Sequence, residues 1–298
     1  MTPTKISVVV VAFNSAPMLA PLLSSLPDAF TGVDYETIVV DNGSSDGSAD
    51  VAESAGCHVI RSTNEGYAAG INKAVAASDA PYYMVLNPDT ILEPGCARAL
   101  LRAFDLPRTG VAAPLVLTED GEWTPSLRRE PTVLRSIGLT RTRLPIFSEY
   151  VLERQPYRES SVADWAVGAA LLVSRACHDE IGGWDASYFL YSEETDFCLR
   201  ARDLGYLTRF EPAAKVRHIG GASGRSGTTH AMQVINRVRF YGRRHGAVHT
   251  YLYFVANLVS EASHVLRGHP ESRVAVTALL FPSRRPPQIG ASDRMLPL

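Results

Sequence analysis

Between Tyr82 and Thr90 an apolar run, Tyr-Tyr-Met-Val-Leu, stops abruptly at Asn87-Pro88-Asp89-Thr90. The run predicts a buried strand that delivers one carboxylate to a sheet edge. In open α/β sheets ligands bind outside the carboxyl ends of the strands, so an acid there is placed to hold a cation or a hydroxyl. The same residues also suit plain turn chemistry, with Pro presetting φ and Asn and Asp bonding their own backbone. The stretch by itself leaves both uses open.

Upstream, short β-branched runs alternate with helical patterns, which predicts βαβ units around a mainly parallel sheet. Strands are expected at Ile6–Ala12, Tyr35–Val40 and Cys57–Ile60, and a helix after the first carries Met18, Leu19, Leu22, Leu23 and Leu26 on one face. Three strands then end in polar loops at one edge, at Phe13-Asn14, Asp41-Asn42 and Asn87-Pro88-Asp89, and such an edge is by default a nucleotide crevice. No G-x-G-x-x-G follows the first strand and no G-x-x-x-x-G-K-[ST] occurs, which disfavours a dinucleotide oxidoreductase and a P-loop phosphotransferase. The loop Asp41–Gly47 fails as a calcium loop because its third position is glycine and the spaced glutamate is missing.

Composition narrows the class. The 298 residues are 46% hydrophobic and 20% charged with net charge −2, which suits one large globular domain plus an appendage. A nucleic-acid binder would carry a strongly basic face, so no nucleic-acid partner is expected. Cys57, Cys96, Cys177 and Cys198 stand apart without a C-x-x-C pair, so reduced, cytosolic thiols are expected rather than a zinc site or a disulfide scaffold. Met1–Phe13 lacks a signal-peptide cleavage pattern, and no segment reaches the ~18 uncharged apolar residues of a membrane span.

Farther along, Glu194 heads a helical pattern with Phe197, Cys198, Ala201 and Leu204 on one face. Its carboxylate is expected to point inward, with Glu193 and Asp196 at the rim and Asp196 paired to Arg200 one turn on. An acidic first turn that only favours the helix dipole accounts for Glu194 as well. His218 precedes a Gly-Gly loop and is either structural or a metal ligand, and Arg225 just beyond it is either a phosphate contact or a solvated charge. Thr118–Ser161 is long, proline-punctuated and rich in arginine (Arg128, Arg129, Arg135, Arg141, Arg143), which suits a binding loop or lid for phosphates. From His230 onward Arg237, Arg239, Arg243 and Arg244 precede Tyr251-Leu252-Tyr253-Phe254. That segment suits peripheral contact with an anionic membrane, or helices packed on the sheet domain or on the second subunit of a homodimer.

The runs at 10–14, 40–48, 64–72 and 86–89, followed by those at 165–173, 182–185 and 191–200, resemble in order and spacing the family 2 glycosyltransferases of the GT-A fold. The resemblance covers roughly residues 5–222. Within that superfamily the chain is similar to bacterial rhamnosyltransferase-like enzymes, which use dTDP-rhamnose on cell-envelope glycans or lipid-linked acceptors. The resemblance implies an α/β, doubly wound GT-A domain over 1–228, with a nucleotide-sugar half at about 1–117 and an acceptor half at about 118–228. A helical appendage at 229–281 and a disordered tail at 282–298 would follow.

By the same resemblance Ala12 and Phe13 would flank the donor base, and Asp41 would bond the base or ribose. Asn14, Asn64, Gly70 and Asn87 would line the donor pocket, while Trp165, Gly168, Glu193 and Asp196 would face the acceptor. Asn87-Pro88-Asp89 falls where the family carries D-x-D, so Asp89, joined by His218, would ligate a Mg²⁺ or Mn²⁺ ion bridging the donor diphosphate. Asn87 replaces the first acid, which weakens the hold on a hard cation. The family's general base falls on Glu194. The implied activity is inverting transfer of L-rhamnose, or of another UDP-, GDP- or dTDP-linked sugar, to a hydroxyl of a glycan or lipid-linked acceptor. The implied location is the cytoplasm and the inner face of the plasma membrane. A nucleotidyltransferase is disfavoured because Phe13–Ala16 lacks a Gly-rich basic loop, and a non-catalytic sugar-nucleotide-binding partner has only Asn87 in its favour.

Overall fold

The computed structural model describes residues 5–220 and 226–289; Arg225 and the last residues of the expected tail, 290–298, lie outside the described residues. The chain begins β1 (Lys5–Ala12), α1 (Ala16–Ala29), β2 (Asp34–Asp41), α2 (Ser48–Ser54), β3 (His58–Arg61), α3 (Tyr67–Ala76), β4 (Tyr82–Leu86), β5 (Thr90–Leu92), α4 (Cys96–Arg102) and β6 (Thr109–Leu117). It continues through β7 (Leu127–Arg128), α5 (Val133–Ser136), β8 (Ser161–Ala163), β9 (Trp165–Ala166), β10 (Ala170–Ser174), α6 (Arg175–Ile181), α7 (Glu193–Asp203) and β11 (Leu207–His218). Helices α8 (Gly227–Arg244), α9 (Ala247–Leu266) and α10 (Pro270–Leu280) close it.

The period of two in β1 builds two cores at once. Val8 and Val10 pack with Leu19, Leu22 and Leu100 on one face, while Val9 and Val11 pack with Ile71 and Val75 on the other. β4 and β10 repeat the alternation with Met84 against Val85 and Leu172 against Leu171, so helices cover both faces. The strand order is β3-β2-β1-β4-β10-β6-β11-β5, with β8 paired to β11. Strands β3, β2, β1 and β4 run parallel, and β10 runs antiparallel to both β4 and β6. The chain leaves β1 to one side for β2 and returns to the other for β4. The crevice at that switch point therefore lies outside the carboxyl ends of β1 and β4.

Gly70 belongs to this packing and not to a pocket, contrary to expectation. A Cβ there would stand 2.7 Å from Val11 Cγ1, so a bare backbone is what lets α3 close on β1.

Helices α8, α9 and α10 share an apolar cluster around Ile235, Val238, Tyr253 and Leu279. The basic run of α8 faces the sheet domain: Arg237 pairs with Glu149, Arg243 with Asp185 and Arg244 with Asp203. These four arginines are docking contacts and not a membrane-facing array, since Arg239 is likewise spent on the Ser187 carbonyl and Asn236. No described helix is long and apolar enough to cross a membrane. The first residues of the expected tail are folded: two 3-10 turns at Pro282–Arg284 and Pro287–Ile289 bury Ile289.

The segment entering α7 is the strained part of the fold. Phe189, Tyr191 and Ser192 hold φ of 64°, 70° and 74°, each a conformation costing on the order of 1–3 kcal/mol for a residue with a side chain. Such strain persists only where the surroundings over-determine it. Here Asn236 of α8, 0% exposed, donates through Nδ2 to the carbonyls of Tyr188 at 2.7 Å and Leu190 at 2.9 Å, with that of Tyr191 at 3.3 Å. From the other side the Tyr67 amide donates to the Phe189 carbonyl at 2.6 Å. Asn236→Ala should leave buried carbonyls unpaired and lower stability by about 2–3 kcal/mol in chemical denaturation. It should also speed amide exchange first at 188–192. Unchanged stability and exchange would remove Asn236 as the clamp.

Candidate functional site

Strand β4 stops at Leu86 instead of running on to Asp89, because Pro88 has no N–H for a ladder and the turn closes on itself. The Thr90 amide and hydroxyl both donate to the Asn87 carbonyl, at 3.2 and 2.7 Å. The chain then enters β5, which pairs with the end of β11 in the register Thr90 to His218 and Leu92 to Val216. With the Ile219 amide donating to the Asp89 carbonyl at 3.0 Å, that register brings His218 Nε2 to 3.2 Å from Asp89 Oδ1. Asp89 is 3% exposed, while the imidazole keeps an open side.

A carboxylate oxygen and an imidazole nitrogen so placed are a donor pair that a divalent cation accepts. Among the described residues no group of three or more His, Cys, Asp or Glu gathers for a metal. The remaining positions would fall to substrate phosphates and water, an arrangement usual for Mg²⁺. Asn87 is otherwise engaged: its Oδ1 accepts a hydrogen bond from the Tyr67 hydroxyl at 2.8 Å.

Tyr67 was not among the residues singled out from sequence, and it joins the two halves of the site. Burial pushes its hydroxyl well above the usual tyrosine range, and the charges of Glu193, Glu194 and Asp89 add to that push. Its hydroxyl donates to Asn87 beside the Asp89 turn and its amide donates to the Phe189 carbonyl in the loop entering α7, so the residue links the two. The only signal for it in the sequence is its place within Asn64–Asn72.

At the head of α7 the structure corrects the expected rim. Glu193 is 5% exposed and Asp196 is also buried, whereas Glu194, expected to point inward, is the partly exposed one of the three. Leu204, expected on the inner face, is exposed just past the helix end. Asp196 does pair with Arg200, at 2.6 Å. Glu193 and Glu194 each leave Oε2 buried without a hydrogen-bond partner.

Their surroundings differ in a way that separates their chemistry. Burial pushes the Glu193 carboxyl well above the usual range, the neighbouring Glu194 charge pushes it further, and only its own backbone amide offsets this. Burial also raises Glu194, but the backbone amides of Glu194, Gly168 and Thr195 and the charge of Arg128 hold it down. Gly168 lies directly against Glu194, where a Cβ would make ordinary contact at 3.6 Å from Glu194 Cβ. Arg128 is itself fixed, its guanidinium 4.0 Å above the Tyr150 ring and 5.7 Å from that of Trp165. Where two acids lie together, the compensated one ionises first. Glu194 is thus suited to accept a proton and Glu193 to keep one.

The donor-side candidates divide by what they already bind. Ala12 has no exposed surface and its carbonyl accepts from the Asn42 amide at 2.8 Å, so it shapes the floor through its backbone. Phe13 is 49% exposed, a ring free to cover a flat ligand. The Asp41 carboxylate, buried at the end of β2, accepts from the Ser44 amide at 3.3 Å. Asn14 Oδ1 accepts from the Ser45 amide at 2.9 Å and Asn64 Oδ1 from the Gly66 amide at 3.2 Å, so both hold loops in shape. Trp165 is buried, with Nε1 donating to the Arg129 carbonyl.

Residues 7–163 match the family Glycosyl transferase family 2. Over 244 residues the chain is 33% identical to N-acetylglucosaminyl-diphospho-decaprenol L-rhamnosyltransferase of Mycobacterium tuberculosis, covering 75% of this chain and 79% of that protein. It is 24% identical over 180 residues to rhamnosyltransferase WbbL of Escherichia coli K12, covering 58% of this chain and 65% of that one. The solved mannosyltransferase PcManGT from Pyrobaculum calidifontis, in complex with GDP-Man and Mn²⁺, shares the fold with TM-score 0.59 at 13% identity, covering 94% of this chain and 81% of its own. The sheet with its crevice at the β1/β4 switch point, the matched span and the mycobacterial relative agree: the chain belongs to glycosyltransferase family 2 and has the GT-A fold.

Proposed function

We propose that the protein is an inverting, metal-dependent transferase that moves L-rhamnose from dTDP-rhamnose to a hydroxyl of a lipid-linked or cell-envelope glycan at the cytoplasmic face of the membrane. What supports the chemistry is the position of Tyr67, whose hydroxyl donates to Asn87 beside the Asp89–His218 pair and whose amide donates to the Phe189 carbonyl in the loop that leads to Glu193 and Glu194. The substrate classes follow the activities of the mycobacterial and E. coli relatives.

In this reading Asp89 and His218 hold the cation, which when bound offsets the charge of the donor diphosphate. Glu194, ionised, takes the proton of the acceptor hydroxyl through Oε2 as that oxygen attacks the anomeric carbon opposite the departing diphosphate, so configuration inverts. The new glycosidic bond forms as the bond to the diphosphate oxygen breaks. Glu193 stays protonated, and Tyr67 and Asn87 fix the wall between the two pairs. Calorimetry against UDP-, GDP- and dTDP-sugars with Mg²⁺ or Mn²⁺ tests the donor, and tighter binding of a sugar on another nucleotide would overturn the rhamnose assignment.

Glu194→Gln keeps shape while removing proton acceptance, so turnover should fall on the order of 10²-fold or more with donor affinity within a few fold. In the unmutated enzyme kcat/KM should be lost toward acid as Glu194 protonates, with a midpoint above the ordinary 4.5. Near-normal turnover of the variant, with Asp196→Asn or Glu193→Gln inactive, would move the base to that neighbour.

Glu193 gives a separate stability signature. Its folded-state value is raised, so its contribution to stability is full below the unfolded value near 4.5 and is lost as pH rises. The Tm of Glu193→Gln should therefore gain on that of the unmutated protein between about pH 5 and about pH 8. A gap that stays flat or shrinks contradicts the buried, neutral carboxyl.

Asp89→Ala should abolish the metal enhancement of nucleotide-diphosphate binding, because a diphosphate beside acids is repelled unless a cation bridges them. Equal affinity in EDTA and in Mn²⁺ for the unmutated protein would falsify the cation's place here.

A further inference from the structure

Away from the crevice, a cavity of about 380 Å³ opens between the segment 135–141 and helices α8 and α9. That is a volume typical of ligand pockets. Four arginines line it, Arg135, Arg141, Arg237 and Arg267, and its one acid, Glu261, is tied to His230 at 2.8 Å. Of the four, only Arg237 has a carboxylate partner among the described residues, Glu149, and its Nε is still buried without a hydrogen bond. Arg135 donates to the carbonyls of Glu130 and Pro145, and Arg267 donates to Ser263 on its own helix. Those contacts fix the guanidinium groups without neutralising them. The cavity therefore holds an excess of oriented positive charge, the arrangement that suits a phosphate or diphosphate.

Its rim is of the opposite character. Leu134, Leu139, Leu144 and Ile146, which flank the lining residues Arg135 and Arg141 in the chain, are exposed, as is Leu266 next to the lining residue Arg267. The segment is pressed onto α9 at Gly138, where a Cβ would stand 2.9 Å from Ser260 Oγ, so the rim and the basic wall form one fixed unit. An anion-holding interior with an apolar border matches an amphiphile with a phosphorylated head.

We infer that this cavity seats the diphosphate head of a lipid, with the chain lying along the leucine and isoleucine rim. The inference deepens the reading above by naming where a lipid-linked acceptor is gripped, and it rests on that reading only for the identity of the lipid. The α8 helix joins it to the chemistry. Arg237 lines the cavity, while its neighbour Asn236 clamps the loop that leads to Glu193 and Glu194.

Farnesyl diphosphate, inorganic pyrophosphate and farnesol are the probes, titrated calorimetrically into the full chain in EDTA so that no cation recruits a diphosphate to Asp89. Farnesyl diphosphate should bind more tightly than pyrophosphate, and farnesol weakly. Arg141→Ala/Arg267→Ala, two exposed positions that leave the fold intact, should weaken farnesyl diphosphate roughly ten- to a hundredfold. Leu139→Ser/Ile146→Ser should weaken farnesyl diphosphate and leave pyrophosphate unchanged. Asp89→Ala should change none of these affinities. Unaltered binding in the arginine variant, or no binding at all, overturns the site. Pyrophosphate binding as tightly as farnesyl diphosphate overturns the lipid. Failure of the rhamnosyl donor to bind with metal leaves these results standing and counts only against the proposed reaction.

Discussion

At the head of α7 the carboxyl of Glu193 is buried and one oxygen of Glu194 is enclosed beside it, and much of the surrounding structure holds them there. A buried acid with no compensation stays protonated, and a protonated acid is no base. Glu194 escapes that outcome through three backbone amides and the charge of Arg128, while Glu193, one residue earlier, does not. The distinction depends on where the helix begins. The left-handed residues Tyr191 and Ser192 turn the chain into the helix, where Glu193 is buried and Glu194 stays partly exposed. Asn236 and Tyr67 hold that turn from opposite sides, one from the C-terminal helices and one from the donor half. The geometry of this turn therefore depends on contacts between parts of the chain far apart in sequence.

The two halves of the site are built by different means. Asp89 and His218 meet through strand register: a proline ends β4, the chain reverses into β5, and pairing with β11 sets His218 opposite Thr90. A one-residue slip would carry His218 to the other face of the sheet. The carboxylate pair relies instead on side-chain clamps over a strained turn. A register is robust and a strained turn is not, so motion in this site belongs at the α7 entry.

These differences explain what the sequence discloses. The β-branched run Val8 to Val11 and the polar strand ends are local patterns, and they read directly as a mainly parallel sheet with a crevice at Phe13, Asp41 and Asp89. The Asp196–Arg200 pair is local as well, one helical turn apart. What sequence reading misses is non-local. Tyr67 looks like any aromatic opening a helix, and Asn236 like any polar residue on one, until their partners at Asn87 and Tyr188–Tyr191 are known. Gly70 misleads for a related reason, since a glycine needed for helix–sheet contact and one needed beside a ligand are the same letter. Glu193 was misplaced because helical phase assigns a rim only when the helix has an exposed face, and α7 has almost none.

The C-terminal helices show how little a run of basic residues says before its partners are counted. Arg237, Arg239, Arg243 and Arg244 suggest a surface for anionic lipid, yet Arg239, Arg243 and Arg244 are taken up in docking α8 against Ser187, Asp185 and Asp203, and Arg237 pairs with Glu149 while lining the basic cavity. The charge left over lies elsewhere, on Arg135, Arg141 and Arg267, which no acid answers among the described residues and which stand beside exposed leucines. Neighbouring positions on a helix point about 100° apart, so α8 can direct Asn236 to the strained loop and Arg237 to the basic cavity. One helix thus links the basic cavity to the strained loop that enters α7.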